Sequence, residues 1–127
     1  MIKSEIINQL KSLNFLKDEY WVITGTAMVL HGLREHTHDI DLGCSKTLAD
    51  KLKESGYPCI LLDDGTRKIT IGDNIEIFEN WLYDKVEFVE DIPVISLQGL
   101  LQMKKSLGRK KDIKDIKLIE LALSKQD

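Results

Sequence analysis

The sequence predicts an α/β (α+β) fold, a mixed central β-sheet flanked by helices with two helices closing the chain. Three observations carry this reading. The first half alternates apolar residues at helical spacing with short β-rich runs. Two tight-turn compositions, Asp63-Asp64-Gly65 and Gly72-Asp73-Asn74, then separate three strand-like segments. From Ser96 onward the helical spacing returns, broken by Gly108.

Each element has its own reason. Ile2, Ile6, Ile7, Leu10 and Leu13 form the apolar stripe of an opening helix ending near Asn14. Tyr20 to Ile23 is a short buried strand, broken by Gly25. Thr26 to His31 reads as a short helix closed by Gly32, and Thr37 to Cys44 as a second strand. Lys46 to Ser55 is a helix with Leu48 and Leu52 inward, capped by Gly56. Cys59–Leu62, Lys68–Ile71 and Ile75–Phe78 are strands, with Val86–Val89 and Pro93–Ile95 as short edge segments. Helices over Ser96–Leu107 and Asp112–Ser124 finish the chain. A βαβ start followed by hairpins gives a mixed sheet with helices packed on it.

The chain has 127 residues, 43% hydrophobic and 31% charged, which suits a single domain over 1–127 with one core. No apolar run approaches the ~20 residues of a membrane span and no leader pattern opens the chain, so a cytoplasmic protein without membrane attachment is expected. Cys44 and Cys59 form no CxxC pair and read as reduced thiols. Residues 1–98 carry 10 basic and 17 acidic side chains, and residues 99–127 carry 8 and 4. An acidic body with a basic tail argues against general duplex DNA binding and is compatible with a local anion site.

The most informative segment is His38-Asp39-Ile40-Asp41-Leu42. Alternation along a strand puts Thr37, Asp39 and Asp41 on one face, with Ile40 and Leu42 in the core. Two carboxylates about 7 Å apart along a strand repel each other unless a cation sits between them. Hard oxygen ligands on a rigid strand suit Mg²⁺, which completes its shell with phosphate oxygens. Gly25-Thr26, with Thr26 twelve residues before the start of this segment at His38, opens a helix, where free backbone N–H groups and the Thr26 hydroxyl favour an anion. A phosphate turn beside an acid pair is the equipment of phosphoryl or nucleotidyl transfer. The histidines His36 and His38 alternate to the opposite face, and His31 reads as structural. Trp21 and Trp81 read as core or interface residues. Cys44 packs and lacks a neighbouring base.

Thr24-Gly25-Thr26-Ala27-Met28, Arg34, Thr37 and Asp39-Ile40-Asp41-Leu42 resemble the nucleotidyltransferase superfamily related to DNA polymerase beta. The resemblance is strongest to the minimal nucleotidyltransferases and abortive-infection toxins, which read G-G-T-A … R-x-[ST]-x-D-[IL]-D. Lys104 and the run from Arg109 to Asp115 resemble their late K … R-x-K-D-x-x-D signature. Thr24 stands where the pattern has its first glycine, and Arg34 lies five residues before Asp39, where the pattern has four.

The resemblance implies a nucleotidyltransferase-like fold and an enzyme that moves a nucleoside monophosphate from a nucleoside triphosphate, ATP among them, to a hydroxyl. Asp39 and Asp41 would hold two Mg²⁺ ions, with Mn²⁺ as a substitute, and Gly25 and Thr26 would cradle phosphates. A third carboxylate is expected on a later strand. Glu76 is the choice because it alternates with apolar neighbours, with Asp73 and Glu79 as fallbacks. Lys104, Arg109 and Lys111 would neutralise the triphosphate, whereas Asp112 and Asp115 would cap the last helix and pair with nearby Lys or Arg. The acceptor stays open between a small molecule, an RNA end and a protein side chain, and a toxin–antitoxin component is one version. Larger members carry extra helical domains for the acceptor, so a homodimer or partner chain is expected to complete the pocket here. The rival reading is a catalytically weak binding or regulatory module acting with a partner protein; an RNA-binding adaptor is the third.

Overall fold

A computed structural model describes residues 1–126. The elements run α1 (Lys3–Leu13), β1 (Tyr20–Val22), α2 (Thr24–Leu30), β2 (Ile40–Cys44), α3 (Lys46–Glu54), β3 (Cys59–Leu61), β4 (Arg67–Ile71), β5 (Ile75–Glu79), β6 (Val86–Val89), β7 (Ile92–Ile95), α4 (Leu97–Leu107) and α5 (Ile113–Ser124). A 3₁₀ turn over Lys110–Asp112 leads into α5. Among the described residues no helix is long and apolar enough to cross a membrane. The sequence-predicted elements are all present, with ends shifted by a few residues. Ile2 falls outside α1 and is exposed, bridging instead to His36.

All seven strands form one sheet in the order β3-β4-β5-β2-β1-β7-β6. The pairs β2–β5 and β1–β7 are parallel and the others antiparallel, so the sheet is mixed. Two topological details depart from the sequence reading. β7, expected as an edge segment, lies inside the sheet between β1 and β6. β1 and β2, joined through α2, are antiparallel neighbours, with Trp21 opposite Gly43, and not a parallel βαβ pair. The βαβ pattern in sequence therefore does not fix strand direction here; the parallel partner of β2 is β5, which returns through α3 and a hairpin.

Alternation sorts β2 and β5 into two faces. Ile40, Leu42, Ile75 and Ile77 are buried in the core with Ile69, Val22 and Val94. Asp41, Gly43, Glu76 and Phe78 point the other way. Gly43 is required there, because a Cβ would lie 2.0 Å from Trp21 Nε1. The Trp21 indole lies over β2 at that point and donates to the Trp81 carbonyl at 2.7 Å. On the core side the strand end is closed by ions. Arg67 donates two side-chain hydrogen bonds to Glu79, at 3.1 and 2.7 Å, and also pairs with Asp50 on α3 at 2.8 Å. These hydrogen bonds hold the Glu79 carboxyl below its ordinary range.

The helices α3 and α4 each begin after a serine that suits them. Ser45 Oγ accepts from the Leu48 amide at 3.2 Å and Ser96 Oγ from the Gly99 amide at 3.0 Å, filling donors that a helix start leaves open. Gly99 lets α4 close on the chain after β5, since a Cβ there would stand 2.1 Å from the Tyr83 carbonyl oxygen.

Candidate active site

The acidic face of β2 opens into a cleft of ≈ 330 Å³. Asp39 and Asp41 line it together with Gly25 from the α2 turn and Lys104, Arg109 and Lys111 from the far end of the chain. Six of the eight residues singled out from sequence thus meet in one place, although they span residues 25 to 111. Glu76 adjoins the cleft through the sheet, as the direct register partner of Asp41 in the parallel β2–β5 pair. The fallback acids are elsewhere. Glu79 is bound to Arg67 on the core side, and Asp73 sits exposed in the β4–β5 turn.

Thr26 does something other than expected. It is fully buried; its hydroxyl donates to the Asp39 carbonyl at 3.0 Å and accepts from the Asp41 amide at 3.0 Å. With its proton donated to one backbone group of the acid segment and its oxygen accepting from another, the buried Thr26 hydroxyl ties the two aspartates to α2. Thr24, two residues earlier and half-buried, is the threonine that lines the cleft. The Thr24 hydroxyl donates to Asp41 Oδ2 at 2.6 Å.

Thr24 holds this contact from a backbone φ of 52°, in the left-handed region that a β-branched residue avoids. A glycine would relax the backbone but lose the hydrogen bond, whereas a valine would keep the strain and lose the bond as well. Urea unfolding is therefore expected to put Thr24→Gly within about 1 kcal/mol of the parent, and Thr24→Val about 1–2 kcal/mol below it. Equal stabilities for the two variants would show that neither strain nor the hydroxyl matters.

Asp41 is half-buried, and its carboxyl is raised above the ordinary range. Burial is the largest cause, opposed by the Thr24 hydrogen bond; the like charges of Glu76 and Asp39 raise it further, and Arg109 pulls it back. Glu76 meets its own counter-ion, Lys68 Nζ, at 2.6 Å. The sequence reading missed Lys68. The β4–β5 hairpin turn was legible, and its register sets Lys68 opposite Phe78, one rung from Glu76 on the same face.

The cations at the other wall are largely committed. Lys104 is 2% exposed and lies 3.1 Å from Asp112 Oδ1 and 3.3 Å from Asp115 Oδ2. Arg109 holds Asp112 through two hydrogen bonds at 2.6 and 3.1 Å, and Arg34 pairs with Asp115. Lys104 therefore organises the wall as the centre of an ion cluster, and it is not a free cation for a triphosphate. Asp112 and Asp115 pair with Lys and Arg as expected, but the Asp112 side chain makes no capping hydrogen bond to α5. Lys111 is exposed and makes no ion pair among the described residues. Gly25 has room for the Arg34 guanidinium, whose Nη1 would be 2.6 Å from a Cβ at that position. His38 also lines the cleft, contrary to expectation: β2 starts only at Ile40, so strand alternation does not extend back to it.

Asp39, Asp41 and Glu76 are hard oxygen ligands, and their mutual repulsion on a half-buried Asp41 is what a cation relieves. As placed, no three His, Cys, Asp or Glu side chains among the described residues stand close enough to hold an ion. Thr24 and Lys68 engage two of the three carboxylates instead. The residue types fit Mg²⁺; the rotamers are those of carboxylates satisfied by protein partners.

No family model matches the sequence, and no curated protein does. Solved structures do match in fold. A proposed nucleotidyltransferase (TM1012) from Thermotoga maritima superposes with a TM-score of 0.63 at 19% identity, covering 99% of this chain and 97% of that one. The lincosamide antibiotic adenylyltransferase LnuA, solved with lincomycin bound, gives a TM-score of 0.59 at 18% identity over 93% and 96%. ANT(2")-Ia, in complex with adenylyl-2"-tobramycin, gives 0.58 at 16% identity over 94% and 86%. The chain carries the nucleotidyltransferase fold.

Proposed function

We propose that the protein transfers a nucleoside monophosphate from a nucleoside triphosphate to a hydroxyl acceptor, with a divalent metal. The observation that carries this is the meeting of Asp39 and Asp41 with the α2 turn and Lys111 in one cleft, next to Glu76. LnuA is an adenylyltransferase and ANT(2")-Ia holds adenylyl-2"-tobramycin, which makes ATP the first donor to test here.

Asp39, Asp41 and Glu76 would hold two Mg²⁺ ions, which when bound supply charge neutralisation at the phosphates and a lower pKa for the attacking hydroxyl. The Gly25 turn, with Arg34 and Lys111 facing the same cleft, would bind the β- and γ-phosphates. The acceptor oxygen attacks the α-phosphorus in line as the bond to the bridging oxygen breaks. Pyrophosphate leaves, and the acceptor proton passes to a Glu76 carboxylate oxygen, where Lys68 stands as its counter-ion. The same chemistry serves a free-standing modifier or the toxin of a toxin–antitoxin pair.

A second reading, a catalytically weak module acting with a partner, draws support from Thr24 and Lys68 already engaging Asp41 and Glu76. Calorimetric titration of ATP, GTP, CTP and UTP, with and without Mg²⁺, separates the two. The transferase reading expects Mg²⁺-dependent binding of at least one nucleotide, lost in Asp39→Ala/Asp41→Ala. If the folded protein binds none of the four, the stand-alone enzyme is ruled out and the module reading takes its place.

A further inference from the structure

The acids do not end the functional face of the sheet. Asp41 and Glu76 form one rung of the β2–β5 pair, and Gly43 and Phe78 form the next rung on the same face. Two residues along a strand is a step of roughly 7 Å. On that second rung the charge gives way to an aromatic platform. Trp81 stacks on Phe78 with ring centroids 4.4 Å apart, and its carbonyl is held by the Trp21 indole lying over Gly43.

Trp81 lines a cavity of ≈ 460 Å³, larger than the acidic cleft and separate from it. This volume lies in the range of small-molecule sites, about 300–1,000 Å³. Tyr83 and Met103 supply further apolar wall, and Asp64, Thr66 and Ser106 supply polar edges. The Tyr83 hydroxyl donates to Ser106 Oγ at 3.2 Å, and the Trp81 indole N–H donates to Thr66 Oγ1 at 3.3 Å, so the rim is fixed by its own hydrogen bonds. Asp64 is the one charged side chain lining the cavity among the described residues. The helix α4 joins the two spaces: Met103 lines the cavity and the adjacent Lys104 the acidic cleft.

Resting on the transferase reading above, we propose that this cavity is the acceptor site, and that the acceptor is a small hydroxylated molecule with a flat ring, neutral or cationic. The ring lies on Trp81, an amine or hydroxyl meets Asp64 or Ser106, and a hydroxyl reaches back one rung toward Asp41 and Glu76. A phosphorylated or otherwise anionic acceptor is disfavoured by Asp64, which rules against a nucleic-acid end in this cavity.

The test uses three probes of one shape and different charge: tyramine (cationic), 2-(4-hydroxyphenyl)ethanol (neutral) and 4-hydroxyphenylacetate (anionic). The readout is the indole N–H resonance of Trp81 in a ¹⁵N-labelled protein, assigned with Trp81→Phe. Saturable shifts are expected with the first two, and binding about fivefold weaker for the anion, a preference that Asp64→Asn removes. Ser106→Trp, at an exposed position, is expected to fill the cavity and abolish the shifts while the protein stays folded. Bound Mg²⁺ and α,β-methylene-ATP should change probe affinity by no more than about twofold. The proposal is overturned by no saturable shift with any probe, by shifts that survive Ser106→Trp, or by displacement of the probe by the nucleotide analogue, which would make the cavity the nucleobase site. Nucleotide binding by calorimetry on the same sample separates the two failures. Probe failure with nucleotide binding intact removes the cavity assignment alone, whereas probe binding without any nucleotide binding removes the transferase reading and the acceptor role with it.

Discussion

Replacing Asp41 with asparagine is expected to stabilise the protein while abolishing transfer. The stability effect follows from the raised Asp41 carboxyl: burial, Glu76 and Asp39 all disfavour its charge in the folded state. A carboxyl whose folded value lies above its unfolded one stabilises the fold below the unfolded value, and that contribution is lost as pH rises through the folded value. At acid pH the variant and parent should therefore agree. Above the raised Asp41 value the variant should be more stable, by about 1 kcal/mol, the usual gain when strain at a functional site is relieved. The Thr24 hydroxyl still has an amide oxygen to meet, so that contact is not the source of the difference. Denaturant unfolding across pH, in chelator, measures this, and a parent as stable as Asp41→Asn at neutral pH contradicts it. Transfer should fall by a factor on the order of 10³ or more, at least the loss seen when a single charge-stabilising group is removed. Added Mg²⁺ should raise the melting temperature of the parent and leave that of Asp41→Asn unchanged.

Such a trade of stability for charge explains why this part of the molecule was legible in the sequence. Asp41 breaks the usual pattern of a buried strand by putting an acid on its cleft face, and Asp39 stands just before that strand begins. Gly25 within three residues of a strand end is a local signal of the same kind, and so is the alternation that selected Glu76. Each is readable because neighbours within a few positions determine it. The register that brings Glu76 beside Asp41 depends on the parallel β2–β5 pair, yet alternation with Ile75 and Ile77 alone was enough to put Glu76 on the right face.

What was not legible depended on partners far apart in the chain. Thr26 looked like a phosphate ligand because its hydroxyl follows a glycine; only the approach of β2 shows that the hydroxyl is consumed by the Asp39 and Asp41 backbone. Alternation from Thr37 predicts His38 on the face opposite the aspartates, but β2 begins only at Ile40 and His38 lines the cleft. The direction of β1 against β2 was not fixed by the βαβ order, since a seven-residue helix with a long return to Ile40 lets the chain come back antiparallel. The Trp81 cavity had no local signature, being assembled from the β3–β4 turn, the segment after β5 and the end of α4.

The basic tail shows the same difference most sharply, and it yields the second large effect. In sequence, Lys104 and Lys111 are equivalent candidates for the triphosphate. In the structure Lys104 lies buried between Asp112 and Asp115, whereas Lys111 is exposed. Lys104→Met keeps the apolar stem but leaves two buried carboxylates with one cation fewer. Breaking a buried ion cluster from one side ordinarily costs about 3–5 kcal/mol. Arg109 and Arg34 still meet Asp112 and Asp115, so about 3 kcal/mol is expected, a fall in melting temperature of roughly 10 °C for a domain of this size. Lys111→Met should change stability by less than about 0.5 kcal/mol, as surface substitutions do, and raise KM for the Mg²⁺-nucleotide with kcat little altered. If Lys104→Met instead melts with the parent and Lys111→Met does not, the wall is not built around the buried cluster. If both stay stable and both raise KM alike, Lys104 swings out to the phosphates in the working protein, and Asp112 and Asp115 are then held by the two arginines alone.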